Sequence, residues 1–126
     1  MNKRSIFASA IFALSFAVSL PASAQDAAAG EGVFKRVCAT CHNATAEGPR
    51  KLGPTMHGVF GRKAASVEGF RYSTAKRDSD LVWTPDKLGP YLLNPREFMP
   101  GTTMAYAGLK NDADRANVIA YLQTLK

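Results

Sequence analysis

The feature that most restricts this chain is the run "CATCH", in which Cys38 and Cys41 are three positions apart and His42 follows directly. These are the only two cysteines in 126 residues. A disulfide between them would close a very short loop and would restrict the unfolded chain little. A thioredoxin-like dithiol needs a βαβ setting, and the flanking segments lack the pattern of buried strands. A structural zinc site needs four ligands, and adjacent Cys41 and His42 would share one metal with awkward geometry even if His57 took part.

The remaining interpretation accounts for both cysteines and the histidine together. The spacing C-x-x-C-H is the attachment signature of c-type haem. Each thiol can form a thioether with one vinyl group, and the next residue is then placed as the proximal iron ligand. We therefore predict one haem c, covalently attached through two thioethers at Cys38 and Cys41, with iron bound by His42.

The first 24 residues differ in composition from the remainder of the chain. Two basic residues precede a mostly apolar run at 6–20, and the small residues of "PASA" follow. This order is typical of a secretory signal peptide cleaved after Ala24. A retained membrane anchor is the alternative, but the apolar run is shorter than the roughly 20 residues of a spanning helix. We predict a signal peptide at 1–24, a mature domain at 25–126 and a periplasmic location.

Length and charge limit the class of partner. Cleavage would remove two of the 16 basic residues and none of the 10 acidic ones, so the net charge would fall from +6 to +4. This excess is mild, and the chain has no basic run with interleaved aromatic residues, so we expect no nucleic-acid binding. A domain of about 100 residues forms only a modest core, which a bound prosthetic group can extend.

Hydrophobic periodicity and capping residues predict three main helices. The segment Ala27–Cys38 places its apolar residues on one face. A second helix should begin at Thr84, which is followed by proline and aspartate. The clearest helix is "NDADRANVIAYLQTLK", capped by Asn111 or Asp112. The segment 51–75 is rich in glycine and proline, and no strand alternation is found, so we predict an all-α domain with shorter helical turns and loops around the haem.

An iron held by one histidine has a second axial position to fill. Methionine is most often core filler, and spacing alone does not choose among the possible ligands, which are Met56, His57, Met99 and Met104, or none. Met104 follows a stretch containing Pro95 and Pro100 that cannot continue a helix. Such a loop can wrap around a flat ligand and present a thioether from its far side.

Several segments, taken in order, resemble class I cytochromes c of the mitochondrial and bacterial c2 type. They are "GEGVFKRVCATCHN", "KLGPTMHGVFGRKA", "GFRYSTA", "VWTP", "YLLNPREFMPGTTMAYAGLK" and "NVIAYLQ". The resemblance covers essentially all of the mature chain, and the pair of "CATCH" and "PGTTMAYAG" is highly specific. It implies the class I cytochrome c fold and makes Met104 the distal iron ligand.

The resemblance also assigns roles to residues around the haem. Pro54 resembles the proline whose carbonyl accepts the imidazole N–H of His42, as a ligating histidine requires. Tyr91 resembles the tyrosine whose hydroxyl lies near the sulfur of Met104. The donors around the buried haem propionates would be Arg62, Tyr72 and Trp83, since buried carboxylates need donors or positive charge.

Some positions differ from the family pattern. Lys76 stands where the family has an asparagine, which puts a buried-water network there in doubt. Thr103 and Val37 replace two lysines of the basic ring that steers acidic partners.

The resemblance also places the crossing of the first and last helices. It implies that these helices cross at Gly30, Phe34 and Tyr121, where a glycine lets two backbones approach closely.

Two protein ligands on the iron would leave no position for a substrate, so Met104 ligation argues against an oxygenase, a peroxidase or a gas sensor and for outer-sphere electron transfer. We expect a soluble, monomeric carrier of single electrons, not an enzyme, working between respiratory or photosynthetic redox complexes. Its expected partners are a cytochrome bc1-type donor and a terminal oxidase, reaction centre or soluble reductase, with only transient contact with membrane complexes. The alternatives are a haem peroxidase or gas-binding protein with Met104 displaced, and a haem-free interaction domain with a Cys38–Cys41 disulfide.

Overall fold

A computed structural model describes residues 25–126, and this part of the chain contains five helices and no β-strand beyond one isolated bridge. The helices are α1 (Ala27–Val37), α2 (Thr74–Arg77), α3 (Pro85–Leu93), α4 (Pro95–Phe98) and α5 (Asp112–Thr124). The all-α prediction is confirmed, with α1, α3 and α5 as the three main helices. The predicted signal peptide lies outside the described residues. None of the five helices has the length and apolar character needed to cross a bilayer.

Helix α1 delivers the two cysteines to the centre of the domain. It begins at the N-cap Asp26, whose carboxylate accepts hydrogen bonds from two N–H groups of the first turn. It ends at Val37, one residue earlier than predicted, and Cys38 forms the C-cap. The N–H of Cys41 then donates to the carbonyl of Cys38 at 3.0 Å, so the chain tightens into a turn there. The attachment signature therefore lies in a turn at the end of α1.

The first and last helices cross where a glycine permits close approach. A Cβ on Gly30 would overlap the backbone carbonyl of Asn117 in α5. The rings of Phe34 and Tyr121 pack beside this point, with centroids 5.4 Å apart. The expected crossing is thus confirmed, and it fixes the position of α1 against the C-terminal helix.

Helices α3 and α5 begin at the predicted caps. Asn111 caps α5 by accepting a hydrogen bond of 2.9 Å from the N–H of Asp114. Thr84 is the N-cap of α3, but its hydroxyl donates to Asp86 instead of binding the backbone. Helix α3 remains continuous through Pro90, since Gly89 has no side chain to clash with the proline ring.

The buried side chains surround a cavity and do not fill the interior of the domain. They come from α1, α3 and α5 and from the loops between them, and they include Val33, Phe34, Val59, Trp83, Leu88, Tyr91, Leu92, Met99, Val118, Ile119 and Leu122. Eight of these eleven residues also line the cavity. An apolar shell of this kind suits a large, flat, mostly apolar group at its centre.

Candidate functional site

The cavity has a volume of about 490 Å³, within the usual range for sites that hold small molecules and cofactors. Every site residue predicted from the sequence lines it: Cys38, Cys41, His42, Pro54, Arg62, Tyr72, Trp83, Tyr91 and Met104. Residues from four separate loops and helices therefore meet at one site.

One side of the site is built around the ring of His42. Its Nδ1 lies 2.7 Å from the carbonyl oxygen of Pro54. A carbonyl only accepts hydrogen bonds, so Nδ1 must carry the proton and Nε2 keeps its lone pair. A Cβ on Gly53 would overlap this ring, so a glycine is required beneath it. The backbone thus fixes both the orientation and the tautomer of the imidazole.

The imidazole is also held in its neutral form. Burial lowers the pKa of His42, the hydrogen bond to Pro54 opposes this change, and the positive charges of Lys76 and Lys51 lower the pKa further. A neutral imidazole with a free Nε2 is the form that binds metal ions.

No disulfide joins Cys38 to Cys41 in the part of the chain that the structure describes. Burial, together with repulsion from Cys41, raises the pKa of Cys38 to about 11. A thiol with such a pKa is almost entirely protonated at neutral pH and is a poor nucleophile for disulfide exchange. The surroundings of Cys38 therefore do not favour its thiolate form.

The thioether of Met104 is held by its neighbours. The hydroxyl of Tyr91 donates to the Met104 sulfur at 3.2 Å, and the Met104 N–H donates to the hydroxyl oxygen of Thr102 at 3.3 Å. The ammonium of Lys76 donates to the Tyr91 hydroxyl oxygen at 2.7 Å. The sequence indicates Lys76 as a departure from the family pattern but predicts neither its contact with Tyr91 nor that of Thr102 with Met104. The first contact joins separate helices, so only the structure reveals it, whereas Thr102 lies two residues before Met104 in the same loop.

The other candidate axial ligands are less well placed. Met99 is buried in the core, with 7% of its surface exposed, and does not line the cavity. Met56 does line the cavity. It follows Pro54 by two residues, however, so its backbone lies within about 7 Å of the residue that contacts His42. Met104 also lines the cavity, and its sulfur accepts a hydrogen bond from Tyr91.

A third group of side chains can serve anionic substituents of a ligand. Arg62 donates to two neighbouring backbone carbonyls, at 2.6 and 2.8 Å, which leaves other N–H groups of its guanidinium available at the cavity wall. Burial lowers the pKa of Arg62 and raises that of Tyr72. The Tyr72 hydroxyl oxygen accepts a backbone hydrogen bond at 3.2 Å, and the Trp83 indole is 6% exposed.

The groups that line this cavity together fit a haem c. The site combines two thiols at the attachment spacing, an oriented neutral imidazole, a hydrogen-bonded thioether, polar donors for carboxylates and an apolar wall. Each group corresponds to one chemical requirement of a covalently bound haem with two axial ligands. Gly53 keeps the space beside the imidazole that the ring needs in this orientation.

Comparison with known proteins agrees with this chemistry. The family model described as Cytochrome c matches residues 27–126. The chain is 50% identical over 100 residues to the cytochrome c-type cyt cy of Rhodobacter capsulatus, covering 79% of this chain and 49% of that protein. It is 46% identical over 94 residues to the cytochrome c of Gibberella zeae (75% of this chain, 89% of the relative). It is 54% identical over 79 residues to that of Trypanosoma brucei brucei (63% and 85%). The chain thus spans about half the length of the first relative and most of the other two.

Proposed function

The chain belongs to the cytochrome c family, whose members carry electrons on a covalently bound haem c, and we propose that Cys38, Cys41, His42 and Met104 hold this haem here. The haem supplies an iron that alternates between the ferrous and ferric states. The observation that carries the assignment is that an oriented imidazole, a hydrogen-bonded thioether and both thiols line one apolar cavity.

We propose that His42 and Met104 would both hold the haem iron, which would leave no free position for a substrate and would suit an electron carrier better than an enzyme. Pro54 holds the imidazole, and Tyr91 holds the thioether. A substrate or gas would then bind only by displacing one of these side chains. The soft sulfur of Met104 would favour ferrous iron and so raise the reduction potential.

Two further polar residues are held at the cavity by the backbone. Arg62 donates to two backbone carbonyls, and the Tyr72 hydroxyl accepts from one backbone N–H. We assign these two residues and Trp83 to the carboxylates of the haem. Buried carboxylates require such donors to stay charged.

The location and partners proposed for this carrier follow from its sequence. The segment at 1–24 has the order of a cleaved signal peptide, which supports export to the periplasm. The mature domain would keep a mild positive charge of +4, which favours transient contact with acidic redox proteins. We propose a cytochrome bc1-type donor and, as acceptor, a terminal oxidase, a reaction centre or a reductase.

The alternative is a peroxidase or gas-binding protein with Met104 displaced from the iron. Carbon monoxide added to the ferrous holoprotein distinguishes the two functions, with Met104→Ala as the open-site reference. We expect the native spectrum to stay unchanged under conditions in which Met104→Ala forms the complex. Equal binding by both proteins would refute the closed site and favour the alternative.

A further inference from the structure

The cavity wall contains a lysine that the proposed function does not use. The ammonium of Lys76 lies 2.7 Å from the hydroxyl oxygen of Tyr91, 4.4 Å from the centroid of the Tyr91 ring and 5.0 Å from that of Trp83. None of the five ion pairs found among residues 25–126 includes Lys76. Two aromatic faces and one hydroxyl therefore hold this charge at the cavity, through cation–π attraction and a hydrogen bond.

The contact with Lys76 determines what the Tyr91 hydroxyl can do. An ammonium has three donors and no acceptor, so the Tyr91 oxygen must accept in this bond. The phenolic hydrogen must then point to another group. The Met104 sulfur lies 3.2 Å away and the Thr102 hydroxyl oxygen 3.5 Å away, at the outer limit for an O–H donor. The sulfur is the better placed of the two.

From this geometry we propose that Lys76 is a positioning residue that holds the Tyr91 hydroxyl as a donor to Met104 and thereby raises the reduction potential of the haem. The inference rests on the proposed function, in which the Met104 sulfur binds the iron. It gives Lys76, in the cavity wall, a role in setting the reduction potential of the haem, which the iron ligands alone do not determine.

Two physical effects act in the same direction. A hydrogen bond to the sulfur withdraws electron density that would otherwise stabilise ferric iron, which is the more electron-poor state. Bonding to an ammonium polarises the Tyr91 O–H and strengthens its donation to Met104. The positive charge of Lys76 also opposes the additional positive charge that oxidation creates at the centre. Both effects favour the ferrous state.

The test is a double-mutant cycle on the holoprotein, measured by spectroelectrochemical titration. The variants are Lys76→Met, Tyr91→Phe and their combination, because methionine keeps the length of the side chain but removes the charge. Lys35→Met is the matched control, since Lys35 is exposed on α1 and pairs with Glu31. Lys76→Arg retains the charge and tests whether a donor at this position is sufficient. Thermal unfolding of each variant verifies that it is folded.

We expect Lys76→Met to lower the potential and to shift the sulfur-to-iron charge-transfer band without abolishing it. The same substitution should have a smaller effect when Tyr91 is already phenylalanine, because no hydroxyl then remains to be positioned and only the direct effect of the lysine charge is lost. Lys76→Arg should stay closer to the native potential than Lys76→Met, and Lys35→Met should leave the potential unchanged.

Two results would overturn this inference and leave the proposed function intact. One is an unchanged potential in Lys76→Met. The other is an equal fall in the native and Tyr91→Phe backgrounds, which would make Lys76 a distant charge and not a positioning residue. A native ferric protein without the sulfur-to-iron band would instead refute Met104 as the ligand, and the inference would fail with it.

Discussion

The carbonyl oxygen of Pro54 lies 2.7 Å from Nδ1 of His42, and Gly53, the residue before this proline, leaves the space in which the imidazole ring sits. The two features act together. The carbonyl selects the tautomer with a free Nε2, and the glycine permits the ring to adopt the orientation in which that nitrogen faces the cavity. One stretch of backbone therefore fixes both the tautomer and the orientation of the His42 ring.

The first prediction concerns this glycine. In Gly53→Ala the new methyl group would overlap the His42 ring, so the ring must rotate away from the Pro54 carbonyl. We expect a lower yield of holoprotein and a potential displaced from the native value, measured by haem content and spectroelectrochemistry. Gly32→Ala is the control, since a Cβ there meets no atom within 4 Å. A Gly53→Ala protein with native haem content and potential would contradict this role.

The second prediction concerns the crossing of α1 and α5. Gly30→Ala should destabilise the holoprotein by roughly 1–3 kcal/mol or more, because the added methyl group overlaps the Asn117 carbonyl, which is backbone and cannot rotate away. In the same helix, Gly32→Ala should stabilise by up to about 1 kcal/mol through helix propensity. Guanidinium unfolding measures both. Equal effects of the two substitutions would show that the helices do not meet as closely as described.

The third prediction concerns acid. Because burial lowers the pKa of His42, the unfolded chain binds more protons than the folded one below the ordinary value near 6.5. The contribution of this pKa difference to the free energy of unfolding is fully present above the ordinary pKa and is lost as the pH falls below it. Coordination has the same sign, since a ligand must be deprotonated to bind iron. The free energy of unfolding should fall between about pH 7 and pH 5, and a constant value across this range would contradict the assignment.

Much of this site could be predicted from its sequence. The cysteine spacing and adjacent histidine define an attachment chemistry by themselves, and the caps of α3 and α5 are local signals that the structure confirms. Contacts between distant segments have no such signal. The hydrogen bond from Lys76 in α2 to Tyr91 in α3 joins residues 15 positions apart, and the sequence indicated only that a lysine stands where the family has an asparagine.

The C-terminal end of α1 also differs from its prediction, because helix periodicity carries no information about tertiary contacts. Periodicity predicted a helix that includes Cys38, but the turn needed to bring Cys41 and His42 to the cavity ends it at Val37. Helix periodicity does not encode this tertiary requirement.

The fourth prediction concerns docking. With Thr103 and Val37 at two positions where the family has lysines, electrostatic steering should be weaker than in a lysine-rich relative. Charge complementarity acts mainly on the association rate, and screening at ~0.1 M salt already operates over about 10 Å. The rate of electron transfer to an acidic acceptor should therefore depend less on ionic strength. Restoring lysine at residue 103 should steepen the dependence, and a native slope equal to that of the lysine-rich relative would count against this prediction.

The proposal that His42 and Met104 both bind the haem iron is tested most directly by the sulfur-to-iron charge-transfer band of the ferric protein. The measurement compares the native protein with Met104→Ala, Met99→Ala and Met56→Ala. We predict that the band is present in the native protein, is lost in Met104→Ala and persists in the other two variants. Its survival in Met104→Ala, or its loss in Met56→Ala or Met99→Ala instead, would contradict the ligand assignment and the closed-iron carrier built on it.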